Sequence, residues 1–370
     1  MEQKKAVEFT REDTKVIKAV AVMLMLIHHL FGFPERLQEG VAFISLYTWG
    51  QTPIETLVGW FGNICIPMFA FLGGYGTYLS CRNKNPQEQA GILSRKIVGL
   101  YKQYWIVFIV FIPLCILRNV SRVTPDVTSV IWNFTGLRTE FNGEWWFFTP
   151  YVLILLFYPI IQRIGKRFSS FPAELLLIVL CNTLIAYALE PLPYYSWMVA
   201  LPDSLCYQLF LKVCRLLPDF LMGCFFAKYG ILSALKERFS GNAVYCIGAM
   251  IILVLSIRVR SASGEQYDYL MVPLLVACII VALNHKWGKW IRRILVFVGE
   301  ESTFLWLTHS MFCYHLCQEL VFAPKYSILI VAWLLVMCLV TAKLLRLLMK
   351  GIGFGWNKVK PLLAIQPLED

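Results

Sequence analysis

The hydrophobic residues of this chain are gathered into long continuous stretches separated by short polar segments. A helix needs roughly 17–25 predominantly apolar residues to cross a lipid bilayer. Ten stretches approach or exceed that length, and they cover residues 16–33, 60–79, 103–117, 146–162, 174–190, 204–227, 243–260, 269–285, 302–320 and 327–349. They lack the period-two alternation of a transmembrane β-barrel. We therefore predict an all-α polytopic membrane protein with about ten transmembrane helices.

Composition supports this prediction. Hydrophobic residues make up 58% of the 370 residues and charged residues only 15%, whereas soluble domains contain about 25% charged residues. No linker or low-complexity tract interrupts the sequence, so residues 1–370 are expected to form a single transmembrane domain in the cell membrane. The first apolar run has no clear small-residue cleavage site, so it is expected to remain as the first span.

The positive charge of the chain is distributed on one side of the predicted spans. The net charge is +11, and most of the 34 Lys and Arg residues fall in the N-terminal segment, the even-numbered loops and the C-terminal end. Cytoplasmic loops of membrane proteins carry such an excess, so both termini are predicted to be cytoplasmic. The orientation of the chain in the lipid bilayer therefore explains its net positive charge. No nucleic-acid partner is expected.

Signatures of soluble enzymes and metal sites are missing from the sequence. There is no GxSxG or HExxH motif. The stretch Gly73–Gly76 lacks the GKS or GKT of a phosphate loop and indicates a close helix approach or a bent backbone. The 12 cysteines contain no CxxC pair and are interpreted as packing residues. His309, Cys313 and Cys317 match no standard zinc spacing, so no metal is expected.

The first span holds two ionisable residues that share one face. Lys18 and His29 are eleven residues apart, which is three helical turns plus about 20°, or about 16 Å along the axis. Ionisable residues inside a span are costly and commonly functional, and histidine exchanges a proton near neutral pH. The alternative is that Lys18 snorkels to the surface and His29 makes a hydrogen bond between helices.

The predicted sixth span carries an unusual charge cluster. Lys212, Arg215 and Asp219 follow i, i+3, i+7 spacing, which places them on one helix face. One carboxylate does not neutralise two cations, so the cluster favours an anionic ligand such as a phosphate, a thioester oxygen or a substrate carboxylate. The alternative is an ion network that holds helices together.

Five segments, in the same order along the chain, resemble the acyltransferase-3 family of integral membrane acyltransferases. Lys18 and His29 resemble the Arg–x10–His signature that opens this family, with Lys in place of Arg. Gly73 stands where the second motif has Ser. The other resembling segments are Pro67–Tyr75, Trp145–Pro159, Phe220–Lys228 and Ser302–His309. The resemblance covers residues 14–320.

This resemblance implies transfer of an acyl group, usually acetyl, from cytoplasmic acyl-CoA to a carbohydrate acceptor, either a surface glycan or a lipid-linked sugar. His29 would act as general base on the acceptor hydroxyl, or would itself be acylated first. Arg95 and Lys96 would contact the CoA head group. Lys18, Lys212 or Arg215 would stabilise the oxyanion or hold a phosphate.

Five further residues are candidates for contact with the substrate or with the catalytic groups: His28, Trp145, Trp146, Asp219 and His309. Two other functions remain open at this point. The first is a transporter or exporter of an anionic solute that uses Lys212, Arg215 and Asp219. The second is a non-catalytic membrane partner for glycan assembly. The acceptor, the acyl chain and the oligomeric state are left open.

Overall fold

A computed structural model describes residues 8–168, 170–192, 204–285 and 288–363. The α-helices in this part of the chain are α1 (Arg11–Phe31), α2 (Ile54–Gly62), α3 (Cys65–Cys81), α4 (Pro86–Leu117), α5 (Val127–Phe134), α6 (Phe148–Gly165), α7 (Phe171–Leu184), α8 (Leu205–Lys228), α9 (Ile231–Phe239), α10 (Ala243–Ser263), α11 (Asp268–Leu283), α12 (Lys289–Glu300), α13 (Ser302–Ser310), α14 (Gln318–Phe322) and α15 (Ser327–Leu363). One antiparallel hairpin joins β1 (Thr48–Trp49) to β2 (Thr52–Pro53).

Shorter helical turns complete the described secondary structure. The 3-10 turns are Pro34–Arg36, Gly143–Trp145 and Glu265–Tyr267. The π-helical turns are Ile185–Leu189 and Met311–Leu316. The predicted all-α membrane architecture is confirmed.

Eight helical segments of the described chain are long and apolar enough to cross a membrane. The predicted sixth and ninth spans do not meet that measure. The sixth corresponds to α8, which carries Lys212, Arg215 and Asp219. The ninth is divided into α13, a π turn and α14. The count of ten spans and the cytoplasmic termini therefore stay predictions.

Helix α4 differs from its prediction in a way that affects the site. It begins at Pro86 rather than at residue 103, because Asn85 and Glu88 form a capping box at its N-terminus and nothing breaks the helix after them. Arg95 and Lys96, which we expected in a loop, consequently lie on this helix. The predicted second span is also divided, into α2 and α3.

Helix α1 lies at the centre of the helical assembly. It packs against α2, α3, α11, α12, α13 and α15. Its beginning is fixed by Asp13, which is fully buried and lies 2.7 Å from Lys236 and 2.9 Å from Arg292. Removing either partner of a buried ion pair leaves an uncompensated charge and destabilises the fold. These ion pairs fix the beginning of α1, the helix that carries Lys18 and His29, relative to Lys236 and Arg292.

Helices α3 and α8 approach until their backbones touch. A Cβ atom added to Gly74 would collide with the carbonyl oxygen of Phe220, and one added to Gly223 would collide with that of Phe71. Small residues allow such close approach between helices in membranes. The prediction of a close helix approach is confirmed at Gly74.

We expect Gly223→Ala to lower the free energy of unfolding by about 1–3 kcal/mol, because the added methyl group overpacks this contact. The matched control is Gly248→Ala on α10, where an added Cβ meets nothing within 4 Å. This control should be neutral, or stabilising by roughly 0.5–1 kcal/mol. Reversible unfolding in detergent micelles measures both values. Equal losses in the two variants would contradict the assigned backbone contact.

Candidate active site

A cavity of about 990 Å³ runs alongside α1. Its walls include residues from the beginning of α1, such as Thr14 and Lys18, and residues from its end, such as His28 and His29. The cavity therefore extends along most of this helix. Lys18 and His29 therefore line the same cavity.

The end of the cavity near Lys18 is cationic. Lys18, Arg95 and Lys96 line it, together with Gly73 and Gly76. Lys96 Nζ lies 3.1 Å from the Thr77 hydroxyl and 3.3 Å from the Gly76 carbonyl oxygen. Within the described residues, these three basic side chains form no ion pair with a carboxylate. Unneutralised cations in a low-dielectric wall favour an anionic ligand.

His29, at the opposite end, contacts one neighbour through each ring nitrogen. Its Nδ1 lies 3.2 Å from the Tyr314 hydroxyl oxygen, and its Nε2 lies 3.5 Å from Glu144 Oε2. The Tyr314 hydroxyl also lies 2.7 Å from the backbone carbonyl oxygen of His29. Tyr314 and Glu144 therefore contact different nitrogen atoms of the same imidazole ring.

The two contacts of Tyr314 favour one tautomer of His29. A hydroxyl group has one proton to donate, and the carbonyl oxygen of His29 is able only to accept it. The Tyr314 oxygen is then placed to accept a proton that His29 carries on Nδ1. The Nε2 atom of the neutral imidazole is left with its lone pair, on the side that faces Glu144.

Glu144 is held in this position by Arg36. Arg36 Nη1 lies 2.9 Å from Glu144 Oε1, so the other carboxylate oxygen is free to face His29. Burial opposes the charge of Arg36, but Tyr314 and Glu144 outweigh it and raise the pKa of the guanidinium above its ordinary value. A carboxylate beside Nε2 stabilises the imidazolium that forms when His29 takes a proton.

The turn that carries Glu144 is fastened to α13. Trp145 is fully buried and its Nε1 donates to the Leu307 carbonyl at 2.9 Å. Trp306 Nε1 donates to the backbone carbonyl of Glu144 at 3.2 Å, and Asn142 Nδ2 donates to the Ser310 hydroxyl at 2.7 Å. These bonds join a loop to a helix more than 150 positions away along the chain. They limit the movement of the Glu144 carboxylate relative to His29.

His28 and His309 flank the catalytic candidate in different ways. His28 lines the cavity, and its Nδ1 lies 2.7 Å from the Gly59 carbonyl oxygen. His309 is fully buried, its ring centroid lies 4.8 Å from that of His29, and its Nδ1 lies 2.7 Å from the Trp306 carbonyl oxygen. Each imidazole therefore contacts a backbone carbonyl oxygen through Nδ1. His309 also packs against the ring of His29.

The two tryptophans proposed from the sequence occupy different places. Trp146 lines the cavity, whereas Trp145 lies in the core among Tyr104 and Phe108 and fixes the Glu144 turn. Trp145 therefore supports the site from behind. Only Trp146 of the pair presents a ring surface to the cavity.

Lys212, Arg215 and Asp219, which were expected to favour an anionic ligand, lie on α8. Arg215 Nε lies 2.7 Å from Glu190 Oε1, and its side chain is 55% exposed. Asp219 is buried, and none of the three lines the cavity along α1. The three residues span about 10 Å of helix. The expectation that Lys212 and Arg215 bind the acyl donor stays a prediction, and the structure does not bring them to the cavity along α1.

Lys18 lines the cavity at the end opposite His29. The two residues are separated by about 16 Å along α1. Of the two roles expected for Lys18, holding an anionic part of a ligand fits this separation better than stabilising an oxyanion beside the imidazole.

Sequence reasoning missed Glu144, Arg36 and Tyr314. Glu144 immediately precedes the Trp145–Trp146 pair, and Tyr314 follows His309 by five residues, so both lie beside segments that had been singled out. Arg36 lies just beyond the end of α1. Nothing in the local sequence indicates that these three side chains meet at His29.

Comparison with known proteins identifies the family. The family model described as an acyltransferase domain matches residues 13–345, which include most of α1, both ends of the cavity and the Glu144 turn. No curated protein and no solved structure matches the chain significantly. The match covers most of the 370 residues, and the chain belongs to the acyltransferase-3 family of integral membrane acyltransferases.

Proposed function

We propose that this protein transfers an acyl group, most simply acetyl, from cytoplasmic acyl-CoA to a hydroxyl group of a surface or lipid-linked carbohydrate. In this proposal the whole chain is one domain in the cell membrane, with both termini cytoplasmic. The observation that carries the proposal is the single cavity that has three basic residues at one end and His29, Tyr314 and Glu144 at the other.

The proposed reaction begins at His29 Nε2. This atom takes the proton of the acceptor hydroxyl while the hydroxyl oxygen forms a bond to the thioester carbonyl carbon. The carbon–sulfur bond then breaks, and the CoA sulfur leaves with the electron pair. The imidazolium of His29 returns its proton to that sulfur, so the enzyme ends in its starting state.

The neighbours of His29 would stabilise the charged groups that form during the proposed reaction. Glu144 stabilises the imidazolium through the Nε2 side, and Tyr314 holds the Nδ1 proton in place. Arg36 has further N–H donors beyond its contact with Glu144, and it lines the cavity at this end. We assign it the stabilisation of the oxyanion that forms on the thioester oxygen.

The donor is proposed to enter from the Lys18 end. CoA carries several phosphate charges, and basic side chains bind phosphate through charge-assisted hydrogen bonds. Arg95 and Lys96 would contact these phosphates, and Lys18 would neutralise the next part of the donor along α1. The thioester would then reach the acceptor beside His29 at the far end of the cavity.

Direct transfer is the route proposed here, and prior acylation of His29 is the alternative. Both routes use Nε2 of His29. The two routes differ when the acceptor is omitted. Direct transfer predicts no stoichiometric burst of CoA, whereas prior acylation predicts one equivalent per enzyme.

We favour acyl transfer over the transporter alternative. That alternative depended on Lys212, Arg215 and Asp219 acting as one anion site, whereas Arg215 pairs with Glu190. Family membership supports acyl transfer. We do not carry the transporter hypothesis further.

The proposed function is tested by acetyl-CoA-dependent CoA release in membranes that contain the protein and a native surface-glycan fraction. We expect His29→Ala to abolish release, because it removes the base that takes the proton of the acceptor hydroxyl. His315→Ala is the matched control, since His315 does not line this cavity. Equal release from the unmodified protein and His29→Ala would contradict the role of His29. No release from the unmodified protein, with acceptor supply verified, would contradict acyl transfer.

Glu144→Gln keeps the size of the side chain but removes the charge beside Nε2. We expect kcat to fall about 10- to 100-fold, since a hydrogen bond to a charged group contributes about 1.5–3 kcal/mol. The KM for acyl-CoA should change little, because the donor is held at the other end. Glu39→Gln, an exposed position outside the cavity, is the control. An unchanged kcat in Glu144→Gln would refute stabilisation of the imidazolium.

Lys18→Met and Lys96→Met test the donor end. Each should raise the KM for acyl-CoA about tenfold, because each removes one charge-assisted contact to an anionic donor. The rate at saturating acyl-CoA should stay within about twofold, because both residues lie far from His29. Lys84→Met, at an exposed residue paired with Glu88, is the control. A fall in kcat with unchanged KM would place the donor elsewhere.

A further inference from the structure

A second cavity of about 550 Å³ adjoins the first. Its charged lining consists of three basic side chains and one carboxylate, which are Arg122, Arg138, Lys212 and Glu140. Thr139, Thr149 and Gln208 add polar groups to the same walls. The lining therefore combines an excess of positive charge with hydrogen-bonding side chains.

The carboxylate in the lining of the second cavity neutralises only part of its positive charge. Arg138 Nη1 lies 3.1 Å from Glu140 Oε1. Lys212 and Arg122 form no ion pair with any carboxylate in the described parts of the chain. Lys212 is also partly buried on α8, where a cation without a counter-charge is costly. An anion bound between these side chains would compensate that cost.

The second cavity joins the first at the end where His29 lies. Arg122, Gly143 and Trp146 line both cavities, and Glu144 belongs to the same turn as Gly143. Lys18, Arg95 and Lys96 line only the first cavity, toward its other end. A molecule held in the second cavity would therefore reach the Glu144 side of His29 without crossing the proposed donor site.

We propose that the second cavity binds an anionic group of the acceptor, a carboxylate or a phosphate, through Lys212, Arg122 and Arg138. This inference rests on the proposed function and deepens it, because it makes the acceptor an acidic carbohydrate or a phosphate-linked one. The Trp146 ring, shared by both cavities, provides a stacking surface for the sugar between the anion and the reacting hydroxyl. Lys212 thus keeps the anion-binding role suggested by its charge, but toward the acceptor and not toward CoA.

Binding to purified full-length protein in nanodiscs tests the site without catalysis. The probes are an oligogalacturonate, its carboxyl-reduced counterpart and farnesyl diphosphate, titrated by calorimetry. We expect an anionic probe to bind, with Lys212→Gln and Arg138→Gln each weakening it about tenfold. Arg215→Gln is the matched control, since Arg215 lies one turn along α8 and lines neither cavity. Its affinity should match that of the unmodified protein.

The pattern of binding distinguishes the two sources of the anion. If only the oligogalacturonate shows binding that depends on Lys212, the anion is the carboxylate of an acidic sugar. If only farnesyl diphosphate shows such binding, the anion is the phosphate of a lipid-linked sugar. The inference is overturned if neither anionic probe binds, or if Lys212→Gln binds as tightly as Arg215→Gln. Equal binding of the carboxyl-reduced oligosaccharide overturns it for acidic sugars.

A separate measurement distinguishes failure of this inference from failure of the proposed function. CoA release with glycan present but no Lys212-dependent anion binding would overturn the inference and leave acyl transfer standing. Lys212-dependent binding without CoA release from any acceptor would overturn acyl transfer and leave an anion site beside His29. Melting temperatures of the three variants, compared with the unmodified protein, show that each remains folded.

Discussion

The chemistry proposed for this site depends on where the single proton of the Tyr314 hydroxyl goes. Because that proton is donated to the backbone carbonyl of His29 at 2.7 Å, the hydroxyl oxygen is placed to accept from Nδ1. The lone pair of Nε2 is then directed toward Glu144 and the cavity. A histidine in the other tautomer would present a proton there and would not serve as a base. In the proposed reaction, the Glu144 carboxylate, which Arg36 holds in place, assists once Nε2 has taken a proton and the imidazolium is charged.

The fold holds this arrangement by fixing the beginning of α1 and the turn that carries Glu144. Asp13 ties the beginning of α1 to α9 and α12 through Lys236 and Arg292. The Glu144 turn is fastened to α13 through Trp145. The result is a cavity with cations at one end and His29 at the other. In the proposed function, an anionic donor and an acceptor would approach one another from these opposite ends, and the basic residues of the second cavity would lie on the acceptor side.

Helical periodicity was sufficient to predict that Lys18 and His29 share one face of a helix, since eleven residues make three turns plus about 20°, and both residues line the same cavity. For Lys212, Arg215 and Asp219, spacing gives a direction around the axis but not the neighbours met along about 10 Å of it. Glu144 and Tyr314 were beyond prediction for a related reason. Their meeting with His29 depends on tertiary contacts between segments more than 100 residues apart, which no local pattern encodes.

The most direct test of this account is the tautomer of His29 in the resting protein. The chain has five histidines, so nitrogen-15 NMR of histidine-labelled protein in nanodiscs is tractable, with His29→Gln used for assignment. We predict a neutral His29 ring protonated on Nδ1 with an unprotonated Nε2, and loss of that preference in Tyr314→Phe. A ring protonated on Nε2 in the unmodified protein would contradict the assignment of His29 as the general base.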